Sequence, residues 1–461
     1  MTAVETAPVP IRPGFVTWVR QRLFPNVASG VVTVILTPIL VYLGYRAVMF
    51  VAVNGRWEVV SRNLTLFMQG TFPRDEQWRI VVQILLLALA LGVGASTAGA
   101  AAVDRAREAG LPVVKQPLSQ VVRRFWPIGL FVLVLLYFAS TLTPWLVVAG
   151  ALAAFGLGNT ARFLPSRLRN LGWLLMTLLI VAGFQVVSGT TGRSWVMSAM
   201  LVAVGVLVAF PLDGLAPRAR LAARAGMALL AAAVVFGIYT LIPLEGIGWD
   251  QWSGLFLTLW VSALAIILSF PLGLLLALAR RSSLPAIRVL ATGYIELIRG
   301  VPLITLLFMG QYILPFTLPP GSNLSSISRA IAAMTLFTAA YVAEIVRGGL
   351  QSLPTGQNEA AQALGLSASK AMRLIILPQA LRAVIPAMVG QFISIFKDSS
   401  LLYILAINEF LGVRSLVHAQ ADFRSIAHAE TLVFVAFGYW AFSYSMSKES
   451  QRLERRLRVG L

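Results

Sequence analysis

With 461 residues, 58% hydrophobic and 12% charged, the chain carries more apolar surface than a soluble protein can bury and too few polar side chains to cover it. A water-soluble enzyme is excluded and a bilayer implied. The formal net charge is +19, from 37 Lys and Arg against 18 Asp and Glu, and the chain has no Cys, which excludes a disulfide frame, a thiolate metal site and a cysteine nucleophile, and only His418 and His428, which argues against a haem.

Residues 1–25 form a proline-punctuated basic tail with Pro8, Pro10, Pro13, Arg12, Arg20 and Arg22, expected in the cytoplasm and not a cleavable signal. Apolar runs of roughly 20 residues then alternate with short charged connections, the pattern of a membrane helix bundle and not of a barrel, whose segments are about half as long. Across 26–245 we expect about seven spans, at 27–53, 80–103, 126–142, 144–157, 171–187, 195–212 and 227–243. Arginine and lysine concentrate in alternate connections: Arg105, Arg107, Lys115, Arg123 and Arg124; Arg162, Arg167 and Arg169; Arg218, Arg220 and Arg224. That alternation explains the positive charge through membrane topology and leaves no call for nucleic acid.

Residues 246–447 read as a second unit of about five spans, at 252–278, 286–316, 327–345, 383–404 and 431–444, followed by a basic cytoplasmic tail, 448–461, held by anionic lipid heads. The whole is an all-α integral membrane protein of about twelve transmembrane helices, with both termini and the long 348–382 loop on the cytoplasmic side. No internal repeat links the two units, which weighs against transporters built from duplicated halves.

The 348–382 loop contains the most informative stretch. Glu359-Ala360-Ala361 is followed after three residues by Gly365 and after nine more by Ile375-Ile376-Leu377-Pro378. Glu359 suits a helix start, the alanines favour helix, Gly365 can adopt the left-handed conformation that ends one, Ser367 can cap the next turn, and Pro378 closes that second helix. Two short, small-residue helices hinged at a glycine between apolar spans expose a flat face that another protein would cover.

Spelled this way, the stretch resembles the EAA loop of permease subunits in bacterial ABC importers. Glu296-Leu297-Ile298-Arg299-Gly300-Val301-Pro302, Ala343-Glu344-Ile345-Val346-Arg347-Gly348-Gly349 and Phe396-Lys397-Asp398-Ser399-Ser400 widen the similarity to the polar amino-acid branch. The layout resembles the larger permease subunit of general L-amino-acid importers. The resemblance implies a five-helix type I permease core in the inner membrane that pairs with a second homologous permease, receives amino acids from a periplasmic binding protein and is driven by a dimer of ATP-binding subunits. Glu359, Ala360, Ala361, Gly365 and Leu366 would then couple to the ATPase. The chain has no G-x-x-x-x-G-K-[ST] phosphate loop and no cofactor is implied in it, so ATP hydrolysis is expected in a separate chain.

Charges at membrane depth need partners or water. Glu296 with Arg299, and Glu344 with Arg347, are spaced three apart on a helical face and can simply pair. Alternatively Glu296, Arg299, Gln391, Ser394, Lys397 and Asp398 line a route for a zwitterion. Two other classes also stay open: an ion-coupled secondary carrier, and a membrane scaffold without transport.

Overall fold

The computed structural model describes residues 14–108, 110, 118–165, 169–189, 246–319, 324–424 and 426–458. The expected spans at 195–212 and 227–243 lie outside them. Every element among the described residues is helical, and six helices are long and apolar enough to cross a membrane: Val27–Asn54, Gln77–Asp104, Thr143–Phe163, Gly254–Ala279, Ser326–Gln351 and Ala368–Leu405.

The chain divides into two compact units, Met1–Glu58 and Val59–Leu461. In the first, α1 (Phe15–Leu23) precedes α2 (Val27–Met49), whose start is capped by Asn26 Oδ1 accepting from the Ser29 amide at 2.8 Å. Arg46, in the last turn of α2, donates to Tyr42 Oη at 3.1 Å, one turn back.

α3 (Glu58–Arg62) starts at the last residue of the first unit, and the second unit continues with α4 (Leu64–Gln69), α5 (Gln77–Glu108), α6 (Leu118–Phe138), α7 (Thr143–Asn159) and α8 (Arg169–Ser188). Small residues let α5 and α7 touch at the backbone: a Cβ on Gly92 would stand 3.0 Å from the Gly158 Cα, and Ser96 Oγ donates to the Gly158 carbonyl at 3.4 Å. Such contacts replace the hydrophobic driving force that lipid removes.

Next come α9 (Gly254–Ala279), α10 (Pro285–Gly300), α11 (Leu303–Phe308), a π-helical turn (Met309–Ile313), α12 (Leu314–Thr317) and α13 (Ser326–Gln351). The expected span 286–316 is therefore not straight. It bends by 106° between Gly300 and Leu303, so that counting the bent pair as one span brings the total to seven. Pro302 is the cause: it forces Val301 out of the helical region, to φ −105°, ψ 135°.

After α14 (Gly356–Ala363) and α15 (Ala368–Ala371), another π-helical turn (Met372–Ile376) leads directly into α16 (Leu377–Asp398), and α17 (Val413–Ala419) and α18 (His428–Arg458) follow. Pro378 does not close the second short helix, as the sequence suggested. The wider π turn accommodates the proline lacking an N–H, and one helical run continues from Ala368 to Leu405. The last helix, α18, is too rich in polar residues such as Ser443, Ser445, Lys448 and Glu449 to count among the apolar six.

Residues 59–189 clasp the 246–458 segment. Phe131 of α6 sits among Phe410, Phe434, Phe437 and Phe442, and Arg124 bridges to Glu449 at 2.7 Å. Gly254, at φ +67°, lies so close to α4 that a Cβ there would stand 2.7 Å from the Phe67 carbonyl, and the Thr71 amide donates to Ser253 Oγ at 2.6 Å. Only glycine fits that junction.

Candidate functional site

The Glu359–Gly365 stretch forms a helix and a left-handed stop. Glu359 lies in the first turn of α14, and Gly365 has φ +70°. The Gly365 amide donates to the Gln362 carbonyl at 2.9 Å and the Leu366 amide to the Ala361 carbonyl at 3.0 Å, the paired bonds of a Schellman stop. Of α14 only Ala361 is buried, at 1% exposure, while Glu359 and Ala360 are open and Leu364 is 78% exposed. Leu366 is half-buried. Ser367 stands at the N-cap of α15, but its side chain makes no capping bond.

Beside this unit α13 packs on α16, and α14 itself is hydrogen-bonded to α16. Gly349 of α13 comes within 2.9 Å of the Ala380 carbonyl of α16, measured from a Cβ built on it, and Gln379 Nε2 donates to Gln357 Oε1 at 3.3 Å.

One carboxylate gathers the charges at the neighbouring ends of α9, α10 and α13. Glu344 accepts from Arg347 Nε at 2.9 Å and again from its Nη2, from Arg280 Nη1 at 3.2 Å, and lies 3.5 Å from Arg299 Nη1. Glu296 and Arg299 do not satisfy each other as their spacing suggested. Glu296 accepts from Arg280 Nη2 at 3.0 Å, and Arg299 turns to Glu344 across the Tyr341 ring, 5.8 Å from its centroid. The Arg299 Nε is buried without a hydrogen-bond partner. The expected Glu344–Arg347 pair is present. On α16, Gln391, Ser394 and Asp398 are half-buried and Lys397 is exposed, with neither Lys397 nor Asp398 in a salt bridge among the described residues. The structure does not pair Arg299 with Asp398.

Residues 269–459 match the family described as "Binding-protein-dependent transport system inner membrane component". The probable glutamine ABC transporter permease protein GlnP of Bacillus subtilis is 37% identical over 205 residues, covering 44% of this chain and 92% of its own length. The chain belongs to this permease family. The glutamate/glutamine/aspartate/asparagine transport system permease protein BztC of Rhodobacter capsulatus is 41% identical over 273 residues, 55% of this chain. The inner membrane amino-acid ABC transporter permease protein YhdY of Escherichia coli is 45% identical over 218 residues, 47% of this chain. The chain spans 62% and 59% of the lengths of those two permeases.

In this permease the structure also reveals a buried carboxylate that sequence reasoning missed. Glu409, 0% exposed, accepts from the Leu411 and Gly412 amides at 2.9 and 2.8 Å, from Tyr439 Oη at 2.7 Å and from Thr258 Oγ1 at 3.3 Å. Burial pushes this carboxyl up, against the hydrogen bonds that favour its charge. It joins α9, α18 and the segment after α16. In the sequence it is marked only as an acid three residues before Gly412.

Proposed function

We propose that the chain is the membrane permease subunit of an ATP-driven importer of amino acids, with α14 and the Gly365 stop serving as its cytoplasmic coupling element. The observation that carries this reading is an exposed, small-residue helix, stopped at a left-handed glycine and hydrogen-bonded to α16, in a chain of this family. Leu364 and Leu374 present apolar side chains where only another protein would cover them outside the membrane.

In this reading a dimer of ATP-binding subunits seats on the loop, and its closure drags α13 and α16 between two arrangements of the pathway. A second homologous permease completes the channel and a periplasmic binding protein delivers the substrate. The names of BztC, YhdY and GlnP all specify amino acids, which supports that substrate class here. Some twelve spans, with the EAA loop inside, remain our topology. Glu296, Arg299, Gln391, Ser394, Lys397 and Asp398 are proposed as polar stations on the route. A secondary carrier would need no ATPase, so purification of the tagged chain from its native membrane decides between them. An ATPase subunit in the complex and ATP-dependent uptake of a radiolabelled L-amino acid are expected; uptake driven by an ion gradient without ATP would reverse the assignment.

A further inference from the structure

The end of α13 opposite the coupling loop holds a cation with no acid beside it. Arg329 donates through Nε to Gln311 Oε1 at 3.5 Å, through Nη1 to the Leu324 carbonyl at 3.0 Å and through Nη2 to Ser326 Oγ at 3.2 Å. All three acceptors are neutral. Among the described residues no carboxylate stands within salt-bridge distance of Arg329, whereas Arg62, Arg79, Arg280, Arg299 and Arg347 each have one. A half-buried guanidinium in a membrane protein needs water or an anion.

Its immediate neighbour is irregular. Gln311 lies in the π-helical turn Met309–Ile313, in the second leg of the span broken at Pro302, and Gly310 brings that turn against α13 near Ala333 and the Arg329 carbonyl. Gln311 Nε2 donates to Ser326 Oγ at 2.8 Å, which leaves its Oε1 facing the guanidinium. Non-helical backbone at membrane depth occurs where it is enclosed by protein or lines a wet cavity, and π turns recur at functional sites. The uncompensated cation and the broken, π-turned span are independent features that meet at one place.

From this geometry we infer that Arg329, braced by Gln311 and Ser326, is a carboxylate-recognising station at the substrate-entry end of the pathway. The inference rests on the amino-acid import reading above. A guanidinium fork binds a carboxylate through paired N–H donors, and three neutral acceptors leave Arg329 with donors to spare. Along α13 it stands roughly 22 Å from Glu344, at about 1.5 Å of rise per residue. The same helix would then carry an entry station at one end and the charge cluster at the other.

Absence of Cys makes a direct test possible. In the complete reconstituted transporter, Gln311→Cys is labelled with anionic and with cationic water-soluble thiol reagents, with and without L-glutamate or L-glutamine. The anionic reagent is expected to react several-fold faster, the amino acid to slow it, and Arg329→Gln to abolish the preference. No labelling, or a rate indifferent to both reagent charge and amino acid, overturns the site. A preference suppressed by phospholipid but not by amino acid assigns the guanidinium to a lipid phosphate and also overturns it. In parallel, Arg329→Gln is expected to lower uptake at least about tenfold while assembled complex and basal ATP hydrolysis persist, with Arg329→Lys restoring part of it. If the wild-type complex imports no amino acid, the import reading itself fails, which the labelling result then distinguishes from failure of the site.

Discussion

The imidazole rings of His418 and His428 stack with centroids 3.9 Å apart, so the two histidines of the chain meet each other. His418 Nδ1 lies 3.2 Å from the Phe423 carbonyl, which can only accept, and Nε2 lies 3.0 Å from Thr431 Oγ1, whose hydroxyl also reaches the His428 carbonyl at 3.0 Å. Arg414 closes the group, donating through Nε to the same Thr431 hydroxyl at 3.0 Å. Protonating His418 would put a second cation beside Arg414 and against His428.

Burial holds the His418 imidazole below its usual range, with His428 and Arg414 acting in the same direction and the Phe423 carbonyl opposing them. The unfolded chain takes up its proton near pH 6.5 and the folded chain only at lower pH. Stability from this group is thus complete above the ordinary imidazole pKa and is lost as pH falls from there toward the lowered folded value. Thermal melts in detergent between pH 8 and pH 5 should show a steeper acid-side decline for wild type than for His418→Gln. Parallel declines would refute it.

Gly365→Val should uncouple ATP hydrolysis from transport while the protein stays folded in the membrane. No atom lies within 4 Å of a Cβ built there, so the penalty is conformational, roughly 1–2 kcal/mol for a side chain at φ +70°. Gly365→Asn, which tolerates that conformation, should keep more coupling. Substrate-stimulated ATP hydrolysis in proteoliposomes separates them, and full stimulation in the valine variant would contradict the coupling role.

What could be read from the residue string was mostly local. The Gly365 stop was legible because helix formers followed by glycine state a backbone demand within a few residues. The same holds for Glu344 with Arg347, one turn apart. Pairings between helices were not legible: Glu296 reaches Arg280 on another element, and no spacing rule connects α9 to α10. Pro302 was visible, yet apolar composition continued past it and hid a 106° bend. Pro378 misled in the opposite sense, because a π turn absorbed it. Glu409 gave no periodic signal at all, its partners lying in Thr258 and Tyr439, far away in sequence.

Single cysteines test the membrane topology. Gln362→Cys should be labelled only from the cytoplasmic side and Gly248→Cys only from the periplasmic side, because basic connections alternate with acidic or neutral ones along the chain. Cytoplasmic labelling at Gly248 would invert the assignment.

Arg299→Gln and Asp398→Asn address the pathway. If these groups meet the substrate, each variant should keep its membrane level and basal ATP hydrolysis while uptake falls about tenfold or more, as expected for a charged contact of roughly 1.5–3 kcal/mol. A purely structural Arg299, released from Glu344, would show instead as less folded protein. Near-normal uptake in both variants would return them to packing and ion pairing.

Glu409 sets the last prediction, because its carboxylate is the shared acceptor for two backbone amides and the Tyr439 hydroxyl. Glu409→Ala removes that acceptor while leaving the donors enclosed, and each stranded donor costs about 1–3 kcal/mol. The alanine variant should therefore lose several kcal/mol and melt well below wild type. Glu409→Gln can keep its acceptor oxygen at the Oε2 position that Leu411, Tyr439 and Thr258 share, but its amide then faces the Gly412 amide, donor against donor, so a smaller loss is expected. Thr258→Val deletes the 3.3 Å contacts to Glu409 and to the Gly254 carbonyl and the 2.9 Å bond from the Phe410 amide, and should rank beside or below the glutamine variant. Thermal melts of the three variants in one detergent fix the order, and an alanine variant as stable as wild type would show that the buried carboxylate does not hold these helices together.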